Sequence, residues 1–535
     1  MNQNSQLIKL TPVGGCGQIG SNMTLVQVKD ELIAIDCGIL FPYDDSCGVD
    51  FLIPNLDSIP DLDKIFITHA HEDHIGAIYY LVRKFPNIKI WATKFAKKLI
   101  NNKFEYNNTK PPNIIEYKEN ERIEFSNFSI RSIPVNHSIP ETMGALIQDK
   151  HLHHSIFFAS DFKINRNSPY EEVMDLTFLK AEMNKSKNKT ILADSTNIYV
   201  NERSYDEDQV IEEFKKVFST SKRVLVTLFS SNIHRIQSII NVAKLNNRVV
   251  LAHGRSIRSY CEAALKTNNL KDAGNVLYID PTSEQYNDPS AIILLTGCQG
   301  DFRGSFRRVL IGEDKKVKLS SDDTILLSSK AIPGNEKKIS YIIGKGMKYT
   351  KNIFTDKDLK IHVSGHACKK DLKELYDIIN PNWVIPIHGE MSFLREHKNF
   401  ILKTFKNINP IMINNNDSLF FNKDGTVTVE KGDEIDPLLI SAGELIEKEV
   451  ISKRRKISEN GILFLSFHKL KLDSIKIESF GIHSIVKEND IKDMLNNSLG
   501  KIDKNIGIEE SLRINLRREF SNRYNFKPIV IVHNP

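Results

Sequence analysis

The chain has 535 residues, a formal net charge of +6 and a pI near 8.7, with 40% hydrophobic and 26% charged residues. These are the proportions of a water-soluble globular protein too long for one hydrophobic core, so roughly two to four domains are expected. The small basic excess permits a polyanionic partner without demanding one. No run reaches about 18 consecutive apolar residues, which excludes a membrane-spanning helix, and residues 1–6 lack the basic and apolar parts of a secretory leader. The six cysteines (Cys16, Cys37, Cys47, Cys261, Cys298 and Cys368) form no C-x-x-C pair, the pattern of reduced thiols in a cytoplasmic protein.

Residues 7–60 alternate short strand-like runs with turns. The glycine-rich Gly14-Gly15-Cys16-Gly17-Gln18-Ile19-Gly20 lacks G-x-G-x-x-G spacing and leads into a strand-like run at 23–28. It therefore predicts a tight turn under a neighbouring loop and not a dinucleotide site. Residues 32–38 predict a buried strand ending in a carboxylate, and 64–68 a second. Thr68-His69-Ala70-His71-Glu72-Asp73-His74 follows, and then Ile75, Ile78, Tyr79 and Val82 at helical spacing. Three imidazoles and a carboxylate at a strand-to-helix junction suit a borderline metal such as zinc or manganese. Strand and helix signals alternate to about residue 200, an α/β layered domain. From 206 the pattern reads helix 209–218, strand 223–229, helix 234–245 and strand 249–253, with further strands at 276–279, 291–296 and 324–327. That alternation predicts a second, parallel sheet. Metal-type side chains return at 362–366 and in Ile385-Pro386-Ile387-His388-Gly389-Glu390. If these late ligands join the early ones, the second domain is inserted into the first. Residues 414–446, with the turn Asn414-Asn415-Asn416-Asp417, read as a linker region. Strand runs at 462–467 and 528–532 and helices at 490–499 and 508–522 predict a small α/β tail of the oligomerisation type. Lys453-Arg454-Arg455-Lys456 reads as a solvated face.

Three more strand-like runs end in ligand-type residues: Ile133-Pro134-Val135-Asn136-His137-Ser138, Ile156-Phe157-Phe158-Ala159-Ser160-Asp161 and Val384-Ile385-Pro386-Ile387-His388-Gly389. A carboxylate closing so apolar a strand as 156–161 needs a partner, which a metal would supply. With the 68–74 cluster they make seven candidate ligands, the number a two-metal centre needs. The set resembles the metallo-β-lactamase superfamily, whose signature is H-x-H-x-D-H followed by later His, Asp and His. The resemblance implies an αββα sandwich in which His69, His71 and His137 bind one ion, Asp73, His74 and His388 bind a second, and Asp161 bridges them. It implies two divalent ions per chain, zinc first and manganese as the alternative, activating a bridging hydroxide for in-line attack at phosphorus.

The substrate is left open by the ligands alone. Leu192-Ala193-Asp194-Ser195-Thr196-Asn197 and His362-Val363-Ser364-Gly365-His366-Ala367 resemble the acidic and terminal histidine motifs of the β-CASP nuclease elaboration. Gly14 to Met23, Phe41-Pro42, Asn136-His137-Ser138-Ile139-Pro140, Ser160-Asp161-Phe162-Lys163, Ser231-Asn232-Ile233-His234-Arg235-Ile236-Gln237, Gly254-Arg255-Ser256, Ile332-Pro333-Gly334-Asn335-Glu336 and His388-Gly389-Glu390 resemble the bacterial ribonuclease J family. That resemblance implies a metallo-β-lactamase domain in two parts (1–205 and 361–425), a β-CASP domain between them (206–360), a linker (426–446) and an oligomerisation-type domain (447–535). The expected function is hydrolysis of RNA phosphodiester bonds in bacterial rRNA processing and mRNA decay, as a 5′-to-3′ exonuclease with endonuclease activity. RNA with 5′-monophosphate ends is the expected partner. A homodimer or tetramer is expected, or assembly with a paralogue, without a membrane. By the same resemblance His366 acts at the scissile phosphate and Asp194 orients a ligand histidine, while Ser364, Gly365, His366 and Arg235 are candidates for holding substrate phosphate. Arg235 could equally make a domain-closing ion pair. Residues 296–308, Thr-Gly-Cys-Gln-Gly-Asp-Phe-Arg-Gly-Ser-Phe-Arg-Arg, depart from the family's usual Gly-Ser-Gln-Gly-Glu-Pro-like run and are more basic. The alternatives are a low-activity structural subunit of an RNA-decay complex and a small-molecule metallohydrolase. The latter lacks the inserted motifs.

Overall fold

The computed structural model describes residues 6–42, 47–332, 334–467, 475–503 and 505–533. Of the features singled out above, residues 1–5 and Pro333 lie outside the described residues.

Two mixed sheets face each other in the first compact unit, residues 1–40 and 53–437. The eight-stranded sheet runs Val427–Glu430, Ser418–Asn422, Gln6–Gly14, Met23–Val28, Glu31–Ile35, Lys64–Phe66, Lys89–Ala92 and Ile114–Glu116. The seven-stranded sheet runs Asn409–Pro410, Trp383–Ile387, Asn188–Asp194, His154–Phe158, Met143–Asp149, Phe128–Pro134 and Arg122–Glu124. Alternation decides the packing. Ile8, Leu10, Val26, Ile33 and Ile35 of the first sheet meet Phe128, Ile130, Ile147, Ile156, Phe158 and Leu192 of the second in one buried core. The opposite face of the seven-stranded sheet, with Ile133, Phe157, Ile191 and Val384, is covered by the helices Leu176–Met183 and Lys369–Ile379.

The strand Asn188–Asp194 pairs in parallel with Trp383–Ile387, Thr190 opposite Trp383 and Asp194 opposite Ile387. The nearly 190 intervening residues leave one strand of this sheet and return to its neighbour. Within them lies the parallel six-stranded sheet Leu277–Tyr278, Val250–His253, Ile292–Leu295, Val224–Thr227, Thr324–Leu327 and Ile353–Phe354. Its four central strands are buried along their whole length, as continuous apolar runs flanked by helices require.

Of the stretch read as a linker region, 414–446, residues 431–437 carry no helix or strand and end where the first compact unit ends, while much of the rest is strand. Ser418–Asn422 and Val427–Glu430 are strands of the eight-stranded sheet, and Leu438–Ser441 pairs with Glu444–Ile446. Leu419 and Phe421 point into the core, and the polar turn residues around them hid this period-two burial. The second compact unit comprises residues 41–52 and 438–535. In it the sheet Lys476–Phe480, Ile462–Ser466, Ile529–His533 packs Leu463, Leu465 and Val530 against the helices Glu488–Leu499 and Ile508–Tyr524. Lys453 to Lys456 lie on the helix Lys448–Asn460, which has no buried residue. Among the described residues no helix is long and apolar enough to cross a membrane.

Candidate metal centre

The carboxyl ends of strands from both sheets of the first unit converge on one point. Lys64–Phe66 delivers His69, His71, Asp73 and His74; Phe128–Pro134 delivers His137; His154–Phe158 delivers Asp161; Trp383–Ile387 delivers His388. The loop carrying Asp73 is strapped at both ends. Cys37 N donates to His74 O at 2.8 Å, Ile39 N to Glu72 O at 3.0 Å and Asn22 N to Asp73 O at 3.0 Å. A Cβ on Gly38 would stand 1.5 Å from Asp73 O, so only glycine allows this approach. The N-terminal glycine-rich turn lies under the loop that presents His388, whose N–H donates to Gly15 O at 2.7 Å. Cys16 and Gly17 pair there with Gly389 and Glu390. Asp36, Ser160 and His388 all have left-handed φ, +61°, +57° and +52°. Such strain costs on the order of 1–3 kcal/mol per residue and persists where the surroundings over-determine it.

Two groups of donors result. His69, His71, His137 and Asp161 form one; Asp73, His74, Asp161 and His388 form the other. His71 Nδ1 lies 3.1 Å from both His69 Nε2 and His137 Nε2. Asp161 Oδ2 lies 3.9 Å from His69 Nε2, 3.8 Å from His137 Nε2 and 3.4 Å from His74 Nε2. Asp161 Oδ1 and Asp73 Oδ2 lie 3.5 and 3.3 Å from His388 Nε2. Four donors about 2.0–2.1 Å from one zinc ion stand about 3.3 Å from each other, so the spacing fits ions held between these atoms. Asp161 Oδ1 is buried without a hydrogen-bond partner, which a cation would supply.

The outer ring nitrogens set the tautomers. His74 Nδ1 donates to Asp36 Oδ2 at 2.7 Å, and His137 Nδ1 to Gly365 O at 2.7 Å. Thr68 Oγ1 gives its proton to Asp36 and accepts from His69 Nδ1 at 3.0 Å. Thr196 Oγ1 gives its proton to Asp194 and accepts from His388 Nδ1 at 2.8 Å. Each of these four rings therefore turns Nε2 toward the cluster, where a bound cation would take the place of a proton on it. Burial holds His69 and His137 well below the usual imidazole range and brings His71 down to about 4, which leaves all three neutral as ligands must be. Burial alone would lower His74 too, but the carboxylates of Asp161, Asp73 and Asp36 carry it up to about 10. The second half of the cluster thus has the field of a cation site.

Asp194 and His366 form a third group with Asp161 and His388. His366 Nδ1 donates to the fully buried Asp194 at 2.6 Å, while the His366 side chain stays 22% exposed. Burial opposes charge on His366, and the Asp194 carboxylate overcomes it, raising its pKa. Ser364 and Gly365 line a narrow cavity beside His137 together with Ser138, Lys163 and His234. A Cβ on Gly365 would stand 2.7 Å from the His137 ring. Arg235 is placed elsewhere. It is fully buried, ion-paired to Glu207 at 2.5 Å and donating to Ile361 O at 2.7 Å. It has no open face for phosphate, so of the two roles read from the sequence the structure takes the ion pair. Sequence reading missed the roles of Thr68, Thr196 and Ser160 as supports of ligand rings, and Lys163 and His234 as cavity walls. Asp36 stood out only as a carboxylate closing a buried strand.

Three family models match the chain: a beta-lactamase superfamily domain over 45–187, a ribonuclease J beta-CASP domain over 221–345 and a Zn-dependent metallo-hydrolase RNA specificity domain over 359–412. A ribonuclease J of Corynebacterium glutamicum is 30% identical over 86% of this chain, which spans 64% of that protein's length. One of Mycoplasma pneumoniae is 32% identical over 73% of this chain and 69% of its own. In fold, the chain is similar to a protein of unknown function from Enterococcus faecalis, with a TM-score of 0.53 and 14% identity over 77% of this chain and 99% of that one. With its inserted parallel sheet and its clustered histidines and aspartates, the chain belongs to the ribonuclease J family of metal-dependent ribonucleases.

Proposed function

We propose that the chain hydrolyses RNA phosphodiester bonds in bacterial RNA processing and decay, removing nucleotides 5′-to-3′ from monophosphorylated ends and also cutting internally. The observation that supports this most is that Asp161 belongs to all three donor groups, beside an Asp194–His366 pair on their open side. His69, His71 and His137 would hold one divalent ion, Asp73, His74 and His388 a second, with Asp161 between them; zinc is the proposed metal. When bound, such ions lower the pKa of water and neutralise charge building at phosphorus. His366, kept charged by Asp194, gives a proton to the departing ribose oxygen. Asp194 also fixes Thr196, and through it the His388 ring. The hydroxyls of Ser138 and Ser364 would receive a terminal phosphate in the cavity beside His137, whose wall also carries Lys163 and the carboxyl groups of Glu171 and Glu207. The chain would act in the cytoplasm, in keeping with six free cysteines. It would associate with a second copy through the tail sheet.

The test uses 5′-labelled RNA bearing a monophosphate or a triphosphate, with Zn²⁺ or Mn²⁺. Mononucleotides should leave preferentially from the monophosphate substrate. If wild type and His71→Ala show the same negligible turnover while both bind RNA, the chain is a scaffold and the proposal is wrong.

A further inference from the structure

A cavity of about 480 Å³ opens at the carboxyl end of the strand Val250–His253, where the helix Arg255–Lys266 begins. Its wall carries Arg255, Arg258, Arg308 and Lys316 against a single carboxylate, Glu262. Arg258 holds Asp280 at 2.5 Å through Nη1, and its Nε has no acceptor. Arg308 donates to Arg303 O at 2.6 Å and to Asp314 at 3.4 Å, which fixes the short helix Ser305–Leu310 at the rim. On that helix the Arg307 guanidinium lies over the Phe302 ring, 4.6 Å from its centroid, and Phe302 is 77% exposed. An aromatic ring held in solvent by a guanidinium does nothing for the core of this chain. Phe302, Arg307 and Arg308 all fall in the basic stretch that departs from the family pattern. Side-chain contacts run from the cavity wall to the metal loop. Arg255 Nη1 donates to Tyr106 Oη at 3.2 Å, and Lys103 on the same helix, Lys94–Tyr106, pairs with Glu72 at 2.5 Å.

A basic groove with an exposed aromatic at its edge is how proteins hold a single strand: cations take the phosphates and a base stacks on the ring. We propose that this cavity and the Phe302 loop bind single-stranded RNA outside the metal centre, with backbone phosphates on Arg258, Arg308 and Lys316 and a base on Phe302. The proposal rests on the ribonuclease reading above. It adds a chain-specific site that selects longer strands without taking part in the chemistry.

The experiment compares the full-length chain with Arg258→Ala/Arg308→Ala, Phe302→Ala and Phe302→Trp. The substrates are a 5′-monophosphorylated dinucleotide and a strand of about 20 nucleotides, longer than a single-strand site of this kind. For the long strand, KM of the double arginine variant should rise roughly 10–100-fold with kcat unchanged. The slope of log affinity against log salt should flatten by about 0.7 for each phosphate the variant no longer neutralises. Phe302→Ala should weaken long-strand binding about 5–100-fold at every salt concentration, and Phe302→Trp should restore it. Dinucleotide turnover should be the same in all four proteins. The proposal is overturned if both substrates are unaffected while wild type cleaves RNA, or if dinucleotide turnover falls in step with the long strand. It is also overturned if inorganic phosphate or a mononucleotide competes at the arginines as well as the long strand does, since the cavity is then a free-anion site. If wild type cleaves neither substrate, the ribonuclease reading itself fails and this proposal falls with it.

Discussion

His366 has the Asp194 carboxylate on one side and solvent on the other, and its charge is favoured by that carboxylate. As a proton donor it is competent below its raised pKa and lost as pH rises through it. The kcat profile of wild type should therefore fall on its alkaline side, at a higher pH than an ordinary imidazole would give. His366→Ala should lower kcat about 10²–10⁴-fold and abolish that alkaline limb, with metal content unchanged. Asp36 acts through another ring. It holds His74 Nδ1 and both the N–H and the hydroxyl of Thr68. Asp36→Asn should cost roughly 10–100-fold in metal affinity, read by competition with a chelator. The cluster 68–74 was legible because its donors are adjacent in sequence, and His137, Asp161 and His388 because each closes an apolar strand. Thr68 and Thr196 were not, because a hydroxyl passing a proton from a ring to a carboxylate leaves no local pattern.

At the scale of elements, the buried strands of the inserted sheet were legible as continuous apolar runs with helices between them. The strand Ser418–Asn422 and the edge strand Val427–Glu430 beside it were hidden, because polar residues stand among the apolar ones in both and the turns around them are built on Asn, Asp and Gly. Arg235 marks another limit: burial of a cation depends on a carboxylate 28 positions away. Its guanidinium ties the helix Ile233–Leu245 to Glu207 on the helix Glu207–Thr220, to Ser328 after the strand Thr324–Leu327, and to Ile361. Arg235→Ala leaves Glu207 charged and buried. It should destabilise the fold by about 3–5 kcal/mol in denaturant titrations, with any fall in activity tracking the fraction of folded protein. A selective rise in KM for monophosphorylated RNA at unchanged stability would instead return Arg235 to the substrate.

At the scale of the whole molecule, the tail sheet turns Phe464, Phe480 and Ile531 outward, at 37%, 58% and 41% exposure, on the face opposite its helices. Phe464 pairs across the strands with Glu478 and Ile531 and meets Phe480 edge-on. If a second copy covers this face, Phe464→Asp/Phe480→Asp should convert the assembly to monomers in light scattering while each chain keeps its metal. Unchanged mass would place the interface elsewhere. Hydrophobic periodicity was enough to show the α/β character of the tail, but not that residues 41–52 belong with it, since that grouping joins segments almost 400 positions apart. Everything proposed for the chemistry depends on the seven donors of the first unit holding metal. The most direct measurement is metal content by mass spectrometry alongside RNA turnover, for wild type, His71→Ala and Asp161→Ala, before and after chelation and re-addition of Zn²⁺ or Mn²⁺. Two ions per wild-type chain are expected, with turnover abolished by chelation and regained on re-addition, and fewer ions with negligible turnover in both variants. RNA cleavage that survives complete removal of metal, or variants that keep two ions and full turnover, would contradict the account.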